Sequence, residues 1–287
     1  MISQQLSTNH SSSKTVLITG TTSGIGKEAA YLFAKRSWNL ILINRNSSRL
    51  EQFEKEFQAN FPQVAVSYYM ADFFDLNQVK IAAHEVLANH TRLDAIVNNV
   101  GLIDRTGIHE LPNGLEPHIG VNYMSNVLLT LLLKPILGKD SKVVMVTSEV
   151  HKIGRLNSQN NGASWLQRYA NSKLCINLFS NYIASDWSET GVNVNTIHPG
   201  VVGTSIFFNK GWTRQVMAPL VGIFMKSSTK AAEEYYQLVT RSEFIGMYGE
   251  YFKNDKLAIQ GKRALDKELQ QSLYSWTMDY FKKHHLI

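Results

Sequence analysis

The chain has 287 residues, enough for one large α/β domain or two small ones, and its 44% hydrophobic and 18% charged residues describe a globular sequence with a sizeable core. The net charge of +6 comes from scattered rather than clustered basic residues, which argues against nucleic acid and leaves a mild positive field suited to a phosphate-bearing ligand. Cys175 is the only cysteine, which excludes an intrachain disulfide and a cysteine-cluster metal site and fits a reducing compartment.

Residues 1–13 are polar and Ser-rich and read as a flexible tail without a secretory leader. A spanning helix needs about 18 or more consecutive apolar residues, and the longest apolar stretch, near 127–137, is broken by Lys134 and Pro135. A cytoplasmic protein is expected. From Lys14 onward, short β-branched runs alternate with longer amphipathic segments. Strands are expected at 16–19, 40–43, 64–69, 95–98, 143–147 and 192–197. Helices are expected at 26–35, 50–57, 76–88, 121–133 and from Tyr169 to about Trp187. Solidly apolar strands separated by helices predict an α/β fold: a single Rossmann-type, doubly wound parallel sheet with helices on both faces. With no repeat or composition break, 14–287 reads as one domain.

The first strand runs into Thr19-Gly20-Thr21-Thr22-Ser23-Gly24-Ile25-Gly26 and then a helix. Glycines in such a turn let the backbone approach a pyrophosphate, which the helix N-terminus also attracts. The second strand ends in Ile43-Asn44-Arg45-Asn46. An acidic residue there would bind the ribose 2′-hydroxyl of NAD; a guanidinium instead suits the 2′-phosphate of NADP. NADP(H) is therefore expected in preference to NAD(H), with Arg45 on the phosphate and Lys27 a solvated helix residue. Tyr169 and Lys173 are four residues apart on one helix face, so phenol and ammonium can point into one pocket. A nearby Lys⁺ lowers a phenol's pKa from about 10, as a general acid/base acting on an alcohol or carbonyl requires. His151 and His198 have no carboxylate partner or metal-ligand spacing visible in the sequence and read as structural; no metal is expected.

These residues fall in an order that resembles the short-chain dehydrogenase/reductase family over about 14–256. The motifs are TGTTSGIG at 19–26, Asp72 after the third strand, NNVG at 98–101, Asn122, Ser148, Tyr169 with Lys173, and Pro199-Gly200. VNYMSNVLLT at 121–130, VTSEVHKIG at 146–154, YANSKLCINLFS at 169–180 and GEYFKNDK at 249–256 are similar to the retinol dehydrogenase-like branch. The resemblance implies a catalytic tetrad. Ser148, rather than its neighbour Thr147, would stabilise the substrate oxygen, and Tyr169 would move the proton. Lys173 would tune the phenol and bind the nicotinamide ribose, and Asn122 would hold a water linking Lys173 to solvent. It also implies a cofactor set of Gly20, Thr22, Ser23, Gly24, Ile25, Gly26, Arg45, Asp72, Phe73, Asn99, Gly101, Tyr169, Lys173, Pro199, Gly200, Val202 and Thr204. Asp72 would accept from the adenine amino group, and Asn98 would shape the adenosine wall with Gly101.

Val100 and Phe73 depart from the family's usual alanine and smaller aliphatic residue, and Phe73 bears on the adenine pocket. The segment near 203–228, with Phe208, Trp212 and apolar residues at 216, 220, 223 and 224, is expected to be a lid over a lipophilic alcohol, aldehyde or ketone. Pairing through the helices near 121–137 and 168–187 would give a homodimer or homotetramer. The alternative function is a nucleotide-binding redox sensor or scaffold with little turnover.

Overall fold

The computed structural model describes residues 13–105, 111, 114–156, 163–200 and 227–287. Strands β1 (Thr15–Thr19), β2 (Asn39–Asn44), β3 (Val66–Met70), β4 (Leu93–Asn98), β5 (Leu137–Val146), β6 (Asn193–His198) and β7 (Tyr251–Lys253) run parallel. The short β8 (Lys256–Leu257) turns back antiparallel to β7. The sheet order is β3-β2-β1-β4-β5-β6-β7-β8. The chain winds outward in one direction from β1 and in the other from β4, so a crevice opens between the carboxyl ends of these two neighbours.

Strand alternation divides the core. Val16, Ile18, Leu40, Leu42, Ala95, Val97 and Val144 face the helices α1 (Gly24–Lys35), α2 (Ser47–Asn60) and α6 (Ser228–Thr240). Leu17, Ile41, Ile43, Ile96, Val143 and Met145 face the opposite layer, built from α3 (Leu76–Asn89), α4 (Ser125–Leu132), α5 (Trp165–Asp186) and α7 (Lys267–Lys283). Both faces are covered, which is why the strands carry apolar residues on both sides. This is the Rossmann-type arrangement expected from the sequence, with the elements after residue 228 added to it.

The helix expected from 121 begins as a π-wound turn, Ile119–Met124, before continuing as α4. Side chains take up carbonyls along the widened turn: Ser125 Oγ donates to Gly120 O at 2.9 Å and Asn126 Nδ2 to Val121 O at 3.0 Å. Asn122 sits inside this turn. β5 begins at Leu137, earlier than the apolar run from 143, because a register shift against β4 accommodates the polar residues 138–142.

α7 seals the outer side of α5. Tyr274 stacks on Tyr182 with ring centroids 4.3 Å apart, Thr277 Oγ1 meets Tyr123 OH at 2.6 Å, and Phe281 is wholly buried. Residues 170–181 of α5 are thus buried within the chain. No helix of the described residues is long and apolar enough to cross a membrane.

Beyond β5 a short 3₁₀ turn, Glu149–Ile153, is tied to the far edge of the sheet. Tyr251 OH donates to Glu149 Oε1 at 2.5 Å, and Lys253 and Lys152 lie 3.1 and 3.2 Å from the same carboxylate. His151 Nδ1 is 2.7 Å from Ser148 O, and its Nε2 accepts from Gly261 N–H at 3.0 Å. Both ring nitrogens are engaged in holding backbone.

Phe281→Ala should cost about 3–5 kcal/mol in urea unfolding, because it removes a fully buried aromatic, whereas Trp276→Ala on the exposed side of α7 should stay within about 0.5 kcal/mol. A second expectation concerns acid. Burial disfavours the Glu149 charge, but hydrogen bonds from Tyr251, Lys253 and Lys152 outweigh it and lower the carboxyl from 4.5 to about 2. A depressed folded-state value stabilises above the unfolded value and is lost as pH falls. Thermal melts between pH 4.5 and 2 should therefore fall less steeply in Glu149→Gln than in wild type.

Candidate active site

The crevice is a cleft of about 730 Å³ along the carboxyl ends of the strands. Gly20, Thr22, Ser23, Gly24 and Ile25 form one wall. Gly20 adopts φ +72°, a left-handed conformation that a side chain disfavours, and a Cβ there would stand 3.0 Å from Val100 Cγ2. Gly26 does not line the cleft. A Cβ on it would come within 2.2 Å of Gly20 O and 2.6 Å of Asn99 Nδ2, so it lets α1 pack against the turn. Ser23 makes no side-chain cap to α1, so its side chain does not take up the first-turn N–H groups at this end of the helix. Asn44 is buried and locks the turn, accepting from Thr21 N–H at 2.7 Å. It belongs to the support of the turn rather than to the basic corner of the cleft.

That corner is formed by Arg45, Asn46 and Arg49, all on the cleft. Asn46 caps α2 by accepting from Arg49 N–H at 2.9 Å, which aims the start of α2 at the same place. Arg45 is largely exposed, 4.0 Å from Asp72 Oδ1 and 5.8 Å from the centre of the Phe74 ring. Lys27 is elsewhere, bonded to Glu56 at 2.8 Å. Asp72 and Phe73 line the cleft, with Asp72 Oδ1 accepting from Phe74 N–H at 3.1 Å.

The paired asparagines after β4 divide their work. Asn99, Val100 and Gly101 face the cleft. Asn98, expected on the adenosine wall, is buried instead and donates to Thr130 Oγ1 at 2.8 Å; the last strand residue points into the core beneath α4. Asn99 Nδ2 donates to Thr19 O at 2.9 Å, and its Oδ1 accepts from the buried Tyr235 of α6 at 3.3 Å. Pro199 and Gly200 close the end beyond β6, where His198 also lines the cleft. Val202, Thr204 and the expected lid, including Phe208 and Trp212, fall outside the described residues apart from its last positions, 227 and 228.

Ser148, Tyr169 and Lys173 meet on the remaining wall. Thr147 Oγ1 is turned onto the Lys173 carbonyl at 3.2 Å, which leaves Ser148 as the hydroxyl that hydrogen-bonds Tyr169. Lys173 Nζ donates to Val146 O at 2.9 Å and lies 5.7 Å from the Tyr169 ring centre. Burial is the largest influence on both groups. It pushes Tyr169 up to about 12, against the Ser148 hydrogen bond, and pulls Lys173 down to about 7. An amine that sheds its proton near neutrality has little charge left with which to favour a phenolate. Asn122 is buried behind this wall. Its Nδ2 donates to Leu102 O and Ser172 Oγ, both at 3.0 Å, and its Oδ1 accepts from Leu102 N–H at 2.5 Å. The amide braces the cleft wall at Leu102.

Arg49, Tyr235 and His118, which packs edge-on against Tyr169 with centroids 5.9 Å apart, were not legible as site residues in the sequence. A basic residue in the first turn of the helix after β2 was the available signal for Arg49. Tyr235 and His118 carry none, because only the fold brings them near the cleft.

The glycine turn at the head of α1 fits the pyrophosphate of a dinucleotide, and Arg45 and Arg49 line the adjoining corner of the same cleft. Among the described residues no group of three or more His, Cys, Asp or Glu is placed to hold a metal ion. A family model described as short chain dehydrogenase matches residues 14–214. Human retinol dehydrogenase 13 is 28% identical over 274 residues, spanning 91% of this chain and 82% of that protein. Mouse retinol dehydrogenase 12 is 29% identical over 269 residues, spanning 91% and 84%. A short chain dehydrogenase from Shigella flexneri 2a, solved in complex with NADP, matches with a TM-score of 0.68 at 22% identity, covering 85% of this chain and 97% of that one. That likeness supports the fold; the sequence matches extend it to kinship, and the chain belongs to the short-chain dehydrogenase/reductase family, in its retinol dehydrogenase-like branch.

Proposed function

We propose that this oxidoreductase interconverts an alcohol and an aldehyde or ketone with NADP(H), and that Tyr169 is its general acid/base. The observation that carries the reading is the convergence of Ser148, Tyr169 and Lys173 on the same cleft as the glycine turn and the Arg45–Arg49 corner. When bound, the nicotinamide supplies or takes the hydride. The protein's own part is positional and protic. Ser148 donates to the substrate oxygen and stabilises the charge that develops there. Tyr169, whose phenol burial holds still further above neutrality than a free tyrosine, gives its proton to that oxygen as the carbonyl carbon is reduced. Lys173, titrating near 7, gains or loses a proton within the working range and helps restore the phenol. Arg45 and Arg49 favour the 2′-phosphate, and the phosphate-bearing cofactor gains from the chain's positive charge.

A lipophilic substrate is favoured by Leu102 and Ile103 on the cleft wall and by the names of the relatives, which are retinol dehydrogenases. Action in the cytoplasm, a lid at 203–228, cofactor contacts by Val202 and Thr204, and assembly into a homodimer or homotetramer belong to the same proposal.

Tyr169→Phe should lower turnover of an apolar aldehyde by about 10²–10⁴ while NADPH, followed by its fluorescence, still binds. Near-wild-type turnover in the purified variant would remove Tyr169 from its role. Cofactor choice has a separate test. Wild type should use NADPH over NADH by about ten- to a hundred-fold in kcat/KM, and Arg45→Ala with Arg49→Ala should erase most of that ratio. A wild type that favours NADH, or a ratio indifferent to both substitutions, contradicts the phosphate corner.

A further inference from the structure

A set of buried and half-buried polar groups links three parts of the site that are distant in sequence. Glu116 stands just ahead of the π-wound turn that carries Asn122, and its Oε2 accepts from Ile119 N–H at 3.0 Å. Its Oε1 lies 2.6 Å from His118 Nδ1 and 3.4 Å from Nε of Arg168, the residue before Tyr169 on α5. His118 is fully buried, and its Nε2 accepts from Asp104 N–H at 2.9 Å, on the loop that supplies Leu102 and Ile103 to the cleft wall. A nitrogen that accepts an N–H carries no proton, so Nδ1 holds the ring proton and presents it to the carboxylate. Burial disfavours the Glu116 charge, but the hydrogen bonds from His118 and Ile119 hold its carboxyl below the ordinary range. The loop has a second tie to α5, with the Arg105 guanidinium 5.2 Å from the Trp165 ring centre.

We infer that Glu116 and His118 are positioning residues that hold the Asn122 turn, the Tyr169 helix and the 102–104 wall in one register. This rests on Tyr169 being the proton donor proposed above. Neither residue lines the cleft. They act through Arg168, through the edge of the Tyr169 ring and through the Asp104 amide. Without them the phenol and the substrate wall can shift against Ser148, and a displacement of about 1 Å at reacting atoms costs on the order of 10²-fold in rate.

The test compares His118→Phe and Glu116→Ala with the conservative His118→Gln and Glu116→Gln. In the first pair, kcat for an apolar aldehyde should fall by about 10- to 100-fold, with the NADPH Kd within about two-fold of wild type. His118→Gln, whose amide oxygen can accept from Asp104 N–H, should recover most of that loss, whereas Glu116→Gln, which sets an amide NH2 against one of the donors that both carboxylate oxygens now serve, should recover only part of it. Amide exchange at Leu102 and Asp104 should quicken by about ten-fold or more in His118→Phe, while β1 and β4 stay protected. Unchanged exchange at these amides overturns the inference, as does unchanged kcat. Exchange that quickens throughout the sheet, without rescue by His118→Gln, marks a general folding defect and also overturns it. A wild type that reduces no carbonyl sinks the proposed function instead, and the exchange measurement still decides whether the clasp exists.

Discussion

The contact between the turn after β1 and the turn after β4 fixes the geometry on which the site depends. Thr19 Oγ1 accepts from both Asn99 N–H and Val100 N–H at 3.0 Å, and the Asn99 side chain returns to Thr19 O. Gly26 lets α1 press against this junction, and Gly20 lets the chain turn beside Val100. A parallel sheet that reverses its winding direction leaves a crevice at this point, and here its two lips are stitched together by the Thr19 hydroxyl and the Asn99 amide, each bonded to backbone across the gap. The nucleotide end is thereby set before any catalytic side chain is considered. Asn44 behind the turn and Tyr235 above Asn99 hold the same junction from two further directions.

At the catalytic end, burial outweighs the pairing of charges. Two groups four residues apart on α5 would, in water, be read as a lysine activating a tyrosine. In the protein, Lys173 donates to the end of β5 and loses proton affinity, while Tyr169 is bonded to Ser148 and gains it. Burial thus sets the direction of both shifts, the phenol upward and the amine downward. The polar groups behind the wall complete this picture. Asn122 and His118 each give a side-chain atom to a backbone N–H of the 102–104 loop.

Much of this was legible in the sequence. Parallel strands buried on both sides leave dense apolar runs, so β1, β2, β4 and β6 could be placed to within a few residues. The glycine turn and the Tyr169–Lys173 spacing are local patterns, and they mark the two ends of the cleft. What escaped depends on contacts made across the fold. Asn98 and Asn99 are neighbours of identical chemistry, and only strand alternation sends one to the core and the other to the cleft. β7 and β8 are too short to leave a periodic signal, and α7 is amphipathic without motif. The partners of Asn122 and the direction of the Tyr169 shift follow from burial, which spacing along one helix does not reveal.

In the proposed reaction, hydride and proton meet a carbonyl at the wall formed by Ser148 and Tyr169. Incubation of wild type with NADPH deuterated at either C4 position and an apolar aldehyde tests it directly. The account predicts deuterium on the former carbonyl carbon of the alcohol from one of the two labelled cofactors, at a rate that falls away when Tyr169 is replaced by Phe. Absence of label transfer from both cofactors to a panel of apolar aldehydes and ketones, in protein shown by fluorescence to bind NADPH, would contradict it.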